Sequence, residues 1–465
     1  MNIKNGDSLD LLKEINSDTV DSMVTDPPYG ISFMNKDWDK GVPDIAIWRE
    51  CLRVMKPGAF AFVMCSPRSD VHAEMVIKLK EAGFQVNFSP IYWVYASGFP
   101  KSMNISKAVD RKLGYERTRV PNPNSLNQNK EVLKYGFKDG AISNEGISEE
   151  AKKLNGSYGG FQPKPAVEVI IVAMKPLSEK TYVDQSLKNG KGITWLDDGR
   201  IPYQSDKDRD STIFGTQTDI RGNNYNTNRP SEGNIFNRNV LSSEIGRFPA
   251  NFLVSDGVID DGTLHKSGVI APTNNITHPV TRGIYGKYSR LAASEHVSYG
   301  DSGDLSRYFS LDSWYSKNIE KLPDYVQRIY PFLYVPKASS GERNDGLEYL
   351  EPMKIDYDSL TRINKETADK FGAERKAMMQ NIHPTVKPLK LMSYLITIGS
   401  RPGDIILDPF MGSGTTGVAA KILNRDFIGF EIERKYFEIA EERIKTQPDQ
   451  LSIDSFLTWD MEASQ

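Results

Sequence analysis

The sequence contains two cysteines in 465 residues and no long apolar run. Cys51 and Cys65 show no metal-ligand spacing and lie in apolar stretches, so we expect buried core residues in a reducing compartment. No run of about 18 apolar residues occurs, which excludes a predicted transmembrane helix. Residues 1–7 also lack the apolar stretch of a signal peptide. These absences predict a cytoplasmic protein without a membrane partner.

The chain also lacks an overall excess of positive charge, because its net charge is −3. Whole-chain basicity is the usual mark of a nucleic-acid-binding protein. The charge is unevenly distributed: residues 98–165 hold 12 Lys and Arg against 7 Asp and Glu, a local net of +5 that leaves −8 for the remainder. A basic zone on an acidic protein fits a confined groove for a polyanion, and a solvated polar insertion explains the charge equally well.

Both ends of the chain have the pattern of an α/β protein, in which apolar β-branched runs alternate with helical periodicity. In the first part we predict strands at residues 20–25, 59–65, 85–95 and 166–174 and helices at 45–55 and 69–82. In the last part we predict helices at 389–399, 415–423 and 434–444 and strands at 404–407 and 427–430. A chain of this length can form a large core and a second lobe.

The middle of the chain has a different composition. Residues 175–379 are rich in Asn, Ser, Gly, Asp and Tyr, with short strand-like pieces such as residues 332–335. Because aromatic residues are plentiful there, we expect a coherent lobe of short elements rather than disorder. We expect residues 447–465 to form a loosely held tail.

A glycine-rich loop lies near the far end, where residues 405–417 read as strand, loop and helix start. Gly412, Gly414 and Gly417 match the G-x-G-x-x-G pattern, and Glu431 lies 19 residues past Gly412 at the end of the next strand. Glycines let a ligand approach the backbone, the helix N-terminus offers N–H groups, and the acid can bind ribose hydroxyls. The pattern therefore predicts a nucleoside-containing cofactor and leaves NAD and S-adenosylmethionine open. A plain tight turn is the structural alternative.

Asp408, directly before the glycine loop, favours one of these cofactors. An acid at this position repels the pyrophosphate of a dinucleotide and attracts the ammonium at the methionine end of S-adenosylmethionine. No G-K-[ST] follows the loop, which excludes a Walker motif. We therefore expect S-adenosylmethionine.

A second loop, formed by Asp26, Pro27, Pro28 and Tyr29, follows a buried strand near the start. Its side chains are expected at the carboxyl edge of the sheet, where ligands bind in open α/β folds. Two prolines fix the backbone and remove two N–H donors, so the loop presents the Asp26 carboxylate and the Pro27 carbonyl as acceptors. Two acceptors fit an exocyclic amine and draw its lone pair toward a nucleophilic geometry. Tyr29 offers a face for an extruded base. A Pro-Pro turn with a capping Asp is the alternative.

Together the two loops resemble motifs of the amino-methyltransferases that modify adenine N6 or cytosine N4 in DNA, as do residues 383–388 (HPTVKP). The resemblance spans residues 1–100, 166–175 and 381–445 and implies that Asp26, Pro27, Pro28 and Tyr29 are catalytic. It also implies a set of residues around S-adenosylmethionine. The cofactor would be lined by Asp408, Phe410, Gly412 and Gly414, with Glu431 on the ribose and Thr385 and Lys387 at the methionine end.

The order of the motifs resembles the β class of this family. A standard fold of the class begins with the glycine-loop strand and ends with the catalytic strand. Here the chain begins with a short strand at residues 1–5, a helix at 9–15 and the catalytic strand, and it ends with the cofactor half. We therefore expect a Rossmann-like, seven-stranded methyltransferase sheet that is circularly permuted. Asp7 would accept from the adenine amine of the cofactor, or cap the first helix, or both.

The resemblance also implies a division of the chain. Residues 1–97 with 166–175 would form the catalytic half, 376–446 the cofactor half, and 176–375 a large inserted target-recognition region. The basic insertion, residues 98–165, divides two strands that we expect to be adjacent and antiparallel. Its candidates for phosphate contact are Lys101, Lys107, Arg111, Lys112, Arg117 and Arg119. Residues 96–101 and 246–251 resemble motifs of phage and prophage members of the family.

The loop after Tyr29, residues 31–39, is polar and aromatic. One hypothesis is that it closes over the extruded base and that Trp38 or Phe33 packs near it. An ordinary surface loop with one anchored Trp explains the composition equally well.

We predict in-line methyl transfer from S-adenosylmethionine to adenine N6 in duplex DNA in a bacterial or phage-infected cell, with no metal required. The catalytic loop has no cysteine nucleophile, which argues against cytosine C5 chemistry. The choice of adenine over cytosine rests on Asp rather than Ser at position 26, which is a tendency within the family. Cytosine N4, an RNA substrate and a non-enzymatic DNA-binding protein remain alternatives. The sequence leaves a homodimer and a restriction endonuclease partner open.

Overall fold

The computed structural model describes residues 1–30, 41–95, 102–117, 145–161, 166–203, 246–255, 309–319 and 385–447. It also describes the two-residue pieces 119–120, 141–142, 265–266, 282–283, 286–287, 302–303, 353–354 and 378–379 and the single residues Arg343, Leu347, Asn381 and His383. The predictions for residues 31–39, 96–101, 332–335 and 448–465 lie outside the described residues.

An eight-stranded mixed sheet forms the centre of the described structure. Its strands in chain order are β1 (Asn2–Asn5), β2 (Val20–Thr25), β3 (Met55–Cys65), β4 (Ile91–Val94), β5 (Val167–Met174), β6 (Phe252–Val254), β7 (Ile405–Asp408) and β8 (Asp426–Glu431). Their order across the sheet is β1-β8-β7-β2-β3-β5-β4-β6. Strand β5 runs antiparallel to both neighbours, and the other pairs are parallel.

Helices on both faces cover this sheet, and the described residues include ten α-helices in all. They are α1 (Ser8–Lys13), α2 (Ile45–Val54), α3 (Ser69–Ala82), α4 (Ile105–Lys112), α5 (Glu149–Lys153), α6 (Tyr182–Asn189), α7 (Leu311–Ile319), α8 (Leu389–Gly399), α9 (Thr415–Ile422) and α10 (Arg434–Lys445), with a 3₁₀ turn at Leu196–Gly199. One hydrophobic core lies between the sheet and α1, α2 and α3, and a second lies between the sheet and α7, α8, α9 and α10. Among the described residues, every helix is too short or too polar to span a bilayer.

Local chemistry explains where the elements begin and end. Asp44 caps α2 by accepting from the backbone N–H of Ala46 at 2.8 Å. Gly83 ends α3 in the left-handed region, with φ of 111°. Strand β2 is buried along its whole length, as the apolar run predicts. The predicted helix at residues 45–55 ends at Val54, because Met55 already adopts extended backbone and begins β3.

Three strands differ from the sequence predictions. Strand β3 begins at Met55, four residues before its predicted start. The strand predicted at residues 85–95 is limited to Ile91–Val94, with an isolated bridge from Gln85 to Met174. Pro90 lies between them and has no N–H to donate to a ladder. Strand β6 is an eighth strand beyond the seven predicted, and its three residues are too few to give a periodic signal.

The circular permutation is confirmed by the sheet. Strand β1 pairs with β8 in parallel, from Asn2 opposite Ile428 to Asn5 opposite Glu431. The first strand of the chain therefore continues the cofactor half. Strands β7 and β2 are neighbours, with Leu407 opposite Met23, so the glycine loop and the Asp26 loop leave the same edge side by side.

The insertion between β4 and β5 has an ordered part. Strands β4 and β5 are adjacent and antiparallel, as predicted. In the insertion, Asp110 on α4 accepts from the backbone N–H groups of Ile147 and Ser148, both at 3.0 Å, and this ties α4 to the residues before α5. The two-residue strand Arg119–Val120 pairs with Ala141–Ile142. The described part of the insertion is thus held by its own contacts.

Parts of the long central region pack on the sheet core. The Trp314 indole on α7 donates to the Asp198 carbonyl at 2.7 Å and lies edge-on to the Tyr394 ring on α8, with centroids 4.8 Å apart. The Trp93 indole on β4 donates to the Ser255 hydroxyl, just after β6, at 3.0 Å. The other described strands in this region are two-residue antiparallel pairs: His265–Lys266 with Ser302–Gly303, Arg282–Gly283 with Gly286–Lys287, and Met353–Lys354 with Met378–Met379.

Candidate active site

The predicted catalytic loop leaves the carboxyl end of β2. The Tyr29 hydroxyl donates to Asp26 Oδ1 at 2.6 Å, which fixes the ring relative to the carboxylate. Gly30 ends the loop with φ of 69°, and a Cβ there would lie 2.9 Å from the Gly41 Cα. Only glycine fits this close approach without strain. The loop therefore holds Asp26 and Tyr29 as one unit.

Two further charged groups meet this unit. The Lys387 ammonium donates to Asp26 Oδ2 and lies 3.5 Å from Glu168 Oε2. It also lies 5.6 Å from the centroid of the Tyr29 ring, over its face. All three charged side chains are largely buried, with exposures of 10% for Lys387 and 17% for each carboxylate. We call Asp26, Tyr29, Glu168 and Lys387 the acceptor cluster.

Burial and charge act together on this cluster. Burial lowers the pKa of Lys387, but the Asp26 and Glu168 carboxylates outweigh burial and leave the pKa above its ordinary value. The pKa of Tyr29 is raised well above its ordinary value by burial and by the same two carboxylates. At neutral pH Lys387 is therefore a cation and Tyr29 a neutral hydrogen-bond donor.

The glycine loop joins β7 to α9 through two left-handed residues. Gly412 has φ of 55° and Gly414 has φ of 82°. A Cβ at Gly412 would lie 2.9 Å from His383 Nε2, and one at Gly414 would lie 2.9 Å from the Ala440 Cβ. Gly414 is the N-cap of α9, and no described side chain caps this helix. His383 and α10 therefore pack directly against the backbone of this loop, which ends at the N-terminus of α9.

Asp408 is buried at the end of β7, with 2% exposure. Its Oδ1 accepts from the Thr25 hydroxyl at 2.7 Å and from the Phe410 N–H at 3.1 Å, and its Oδ2 accepts from the Thr416 hydroxyl at 2.6 Å. Burial raises its pKa to about 6, although these donors oppose the rise. Thr25 directly precedes Asp26, so this carboxylate connects the two loops.

Glu431 is buried at the end of β8. Its Oε2 accepts from the Gly412 N–H and its Oε1 from the Glu433 N–H, both at 2.8 Å. Burial raises its pKa to about 7, against the effect of these two bonds. The carboxylate therefore holds the glycine loop against β8. Each oxygen can still accept from a ligand hydroxyl, because it carries two lone pairs.

Other predicted cofactor residues lie near the glycine loop or contact its neighbours. Asp7 accepts from the Leu9 N–H at 2.8 Å, so the predicted helix cap is confirmed. Its neighbour Ser8 donates to the Pro409 carbonyl at 2.5 Å, which brings the end of β1 to the glycine loop. Phe410 lies edge-on to Trp48, with ring centroids 5.9 Å apart. The Thr385 N–H donates to His383 Nδ1 at 3.4 Å.

Three residues at the site were missed by the sequence reasoning. Glu168 is a single acid in a β-branched run, and that interruption was a usable signal. Arg443 is buried on α10, and its Nη1 donates to the Ser413 carbonyl at 2.6 Å, but nothing in a helical pattern marks it. Asn381 is fully buried and donates to the Ser413 hydroxyl at 3.2 Å. Arg443 and Asn381 thus both hold the glycine loop through Ser413.

A comparison with known protein families assigns the chain to a family. The sequence model of the N6/N4 DNA methylases, described as DNA methylase, matches residues 20–442. This chain belongs to the DNA methylase family. The match spans both loops of the site and the whole central region.

Curated relatives of this DNA methylase match over shorter stretches. The chain is 46% identical over 112 residues to the type II methyltransferase M.HinfI of Haemophilus influenzae, which is 21% of this chain and 31% of the relative. It is 51% identical over 65 residues to the type II methyltransferase M2.DpnII of Streptococcus pneumoniae, which is 14% of this chain and 24% of the relative. The chain thus spans less than a third of each relative's length in these matches.

Solved structures match over most of the chain but at low similarity. The complex of M1.HpyAVI with S-adenosylmethionine has 16% identity and a TM-score of 0.33, over 95% of this chain and 98% of that one. The cytosine-N4-specific PvuII DNA methyltransferase has 14% identity and a TM-score of 0.36, over 96% and 86%. Likeness at this level supports no statement about the site.

Apart from Trp38, the predicted DNA-contact residues lie on the basic insertion. Arg111 and Lys112 are exposed in the last turn of α4, while Lys107 is half-buried. Arg117 forms a buried ion pair with Asp110 at 2.6 Å and is 3% exposed, so the prediction of a phosphate contact is wrong for it. Trp38 and Lys101 lie outside the described residues, as does the side chain of Arg119.

Proposed function

We propose that the protein transfers a methyl group from S-adenosylmethionine to N6 of adenine in duplex DNA. One observation carries the proposal: the Thr25 hydroxyl donates to Asp408 at 2.7 Å. Thr25 directly precedes the Asp26 loop, and Asp408 directly precedes the glycine loop. An amine held by Asp26 and a cofactor held by the glycine loop would therefore meet at one edge of the sheet.

Asp26 and Pro27 would bind the amine that receives the methyl group. The Asp26 carboxylate is largely buried, and an acceptor in a water-poor site interacts strongly with an N–H donor. The Pro27 carbonyl is the second acceptor in the proposal. With both amine hydrogens bound, the nitrogen lone pair would point to the methyl group. The N–C bond would form as the S–CH3 bond of S-adenosylmethionine breaks, S-adenosylhomocysteine would leave, and the methylated nitrogen would lose one proton to solvent.

Tyr29 would stack on the extruded base. Its hydroxyl is held by Asp26 at 2.6 Å, so the ring has a fixed orientation before any base arrives. Pro28 shapes the backbone between these two residues, because its ring fixes φ. A rigid aromatic face lowers the entropy lost on stacking.

The residues at the glycine loop fit S-adenosylmethionine. The Glu431 carboxylate beside the loop can still accept from ribose hydroxyls, and the first turn of α9 has no side-chain cap among the described residues. In the proposal Asp408, Phe410, Gly412 and Gly414 line the cofactor, Glu431 accepts from the ribose, Asp7 accepts from the adenine amine, and Thr385 contacts the methionine end. S-adenosylmethionine bound there would supply an electrophilic methyl group on sulfur. Lys387 was predicted at the methionine end as well, but the proposal assigns it to Asp26 and Glu168, with which its ammonium pairs.

Adenine is proposed over cytosine because position 26 carries Asp, which the resemblance associates with adenine N6. Both bases present an exocyclic amine, so the acceptors alone fit either. The exposed pair Arg111 and Lys112 supports a polyanionic substrate. We also propose that residues 176–375 contain the target-recognition region, with Trp38 closing on the base and Lys101 and Lys107 assisting at the phosphates.

Nucleoside mass spectrometry tests this proposal. Plasmid DNA from a methylation-deficient host is incubated with the protein and S-adenosylmethionine, digested to nucleosides and analysed, with a reaction lacking S-adenosylmethionine as the control. We expect N6-methyladenine in the complete reaction. N4-methylcytosine would overturn the choice of base, and methylation of RNA but not of duplex DNA would overturn the choice of substrate.

A further inference from the structure

The acceptor cluster contains a cation where the proposed reaction needs a neutral amine. The Lys387 ammonium donates to Asp26 Oδ2, the carboxylate oxygen opposite the one bound by Tyr29. It also lies over the Tyr29 ring, 5.6 Å from the centroid. Lys387 thus occupies both the acceptor and the stacking face that an extruded base would use.

This position of Lys387 opposes methyl transfer. The ammonium on Asp26 Oδ2 weakens this carboxylate as an acceptor for the amine, and it also lies over the Tyr29 face on which the base would stack. A cation beside the amine also disfavours the positive charge that develops on nitrogen as the N–C bond forms. The amine therefore needs Lys387 to move before the reaction.

Glu168 provides the place to which Lys387 can move. Its Oε2 lies 3.5 Å from the Lys387 nitrogen, and the carboxylate projects from β5, which is separated from β2 only by β3. The proposed chemistry makes no other use of Glu168. A shift of the ammonium toward Glu168 keeps the buried cation paired, which avoids the cost of leaving it alone.

We propose that Glu168 is a positioning residue that receives the Lys387 ammonium when the target amine binds Asp26. The inference rests on the proposed function and adds a two-position switch to it. With no base bound, Lys387 is shared between both carboxylates and holds Asp26 in place. With the base bound, the amine replaces it on Asp26 and Glu168 alone retains it.

A simpler role for Glu168 is to balance the charge of a buried lysine. The two roles differ in what depends on Lys387. In the switch, the effect of Glu168 on turnover acts through Lys387 and disappears when the ammonium is absent. A charge-balancing Glu168 affects stability and folding and leaves the extrusion of the base unchanged.

The first test is Glu168→Gln, measured with plasmid DNA and tritiated S-adenosylmethionine. Because Lys387 then has no second carboxylate, we expect kcat to fall at least about tenfold. KM for DNA and Kd for S-adenosylmethionine should change less than about twofold, since neither depends on this exchange. Glu74→Gln, which changes an exposed glutamate on α3, is the matched control and should keep the wild-type kcat. An unchanged kcat in Glu168→Gln overturns the inference.

The second test measures coupling between the two residues. On the Lys387→Met background, adding Glu168→Gln should change kcat less than about twofold. If these variants are inactive, fluorescence of a duplex with 2-aminopurine at the methylated position reports extrusion instead. Glu168→Gln should then reduce the signal only when Lys387 is present. An equal effect on both backgrounds overturns the switch. A wild-type protein that binds S-adenosylmethionine but methylates no DNA contradicts the proposed function instead.

Discussion

Four acids at the carboxyl edge of the sheet are held by different kinds of donor. Asp26 accepts from a hydroxyl and an ammonium, and Glu168 lies beside the same ammonium. Asp408 accepts from two hydroxyls and one backbone N–H, and Glu431 accepts from two backbone N–H groups. Neutral donors do not offset burial fully, so the pKa is raised to about 6 for Asp408 and about 7 for Glu431.

The raised pKa of Glu431 predicts a pH dependence of cofactor binding. Ribose hydroxyls donate to the ionised carboxylate, so S-adenosylmethionine should favour the form present above pH 7 or so. Between pH 6 and pH 8 the Kd should therefore fall by about tenfold, as one group with this pKa ionises. Isothermal titration calorimetry across this range measures it.

Glu431→Gln is the control for this dependence, because an amide does not titrate. In this variant the Kd should change less than about threefold over the same range, the remainder coming from Asp408. Equal slopes for the wild type and Glu431→Gln would show that Glu431 does not contact the cofactor.

At the scale of single elements, the glycine loop depends on support from outside its own strand and helix. Arg443 on α10 donates to the Ser413 carbonyl, and Asn381 donates to the Ser413 hydroxyl. His383 packs edge-on against Tyr436 at 4.5 Å and limits the space above Gly412. Burial and nearby cations lower the pKa of His383 to about 3, so its ring is neutral.

Two glycine substitutions separate backbone strain from contact at this loop. Gly412→Ala meets both a left-handed φ of 55° and the His383 ring at 2.9 Å. We expect a loss of stability above about 1 kcal/mol and a Kd for S-adenosylmethionine raised at least about tenfold. Thermal melting and calorimetry measure the two effects.

Gly403→Ala is the matched control. It has a left-handed φ of 84°, but a Cβ there meets nothing within 4 Å, and the turn lies before β7, at the opposite edge from the site. It should cost about 1 kcal/mol and leave the Kd within about twofold of the wild type. A similar loss of cofactor affinity in both variants would contradict the role assigned to the loop.

The sequence predicted those strands and helices whose formation depends on the local pattern of a single chain segment. The strands at β2 and β7 and the helices α8 and α10 follow from local apolar periodicity, and they lie within a few residues of their predicted bounds. Strand β6 has three residues and is a strand only because β4 lies beside it. Local pattern carries no information about such a partner.

The site was predictable to a similar extent. Asp408 and Glu431 end their strands and Asp26 directly follows one, and the topology alone brings strand ends to one edge. The contacts of Lys387 were not predictable, because they depend on residues 26 and 168 of distant strands. The ion pair of Arg117 with Asp110 was missed for the same reason, since local charge does not show which cations are already paired.

At the scale of the whole molecule, the sheet joins the two ends of the chain. Strand β1 extends the sheet beyond β8, and α10 packs against both strands. The half that carries the glycine loop is therefore completed by residues 2–5, more than 420 positions away in sequence. The family resemblance predicted this closure from the order of the motifs alone.

A rearranged chain tests this closure. Gln465 is joined to Met1, so that residues 448–465 become the connector, and the chain is opened between Pro402 and Gly403. Eighteen residues can span up to about 60 Å. We expect the rearranged protein to melt within about 5 °C of the wild type and to bind S-adenosylmethionine with similar affinity, because every described strand pair is preserved. An unfolded product would contradict the closure.

The central claim is that Asp26 holds the amine that is methylated, and Asp26→Ala tests it most directly. Methyl transfer to duplex DNA and the Kd for S-adenosylmethionine are measured on the same preparations of wild-type and variant protein. We predict that Asp26→Ala lowers methyl transfer at least about a thousandfold and changes the Kd less than about threefold. Methyl transfer at the wild-type rate by Asp26→Ala would contradict the account.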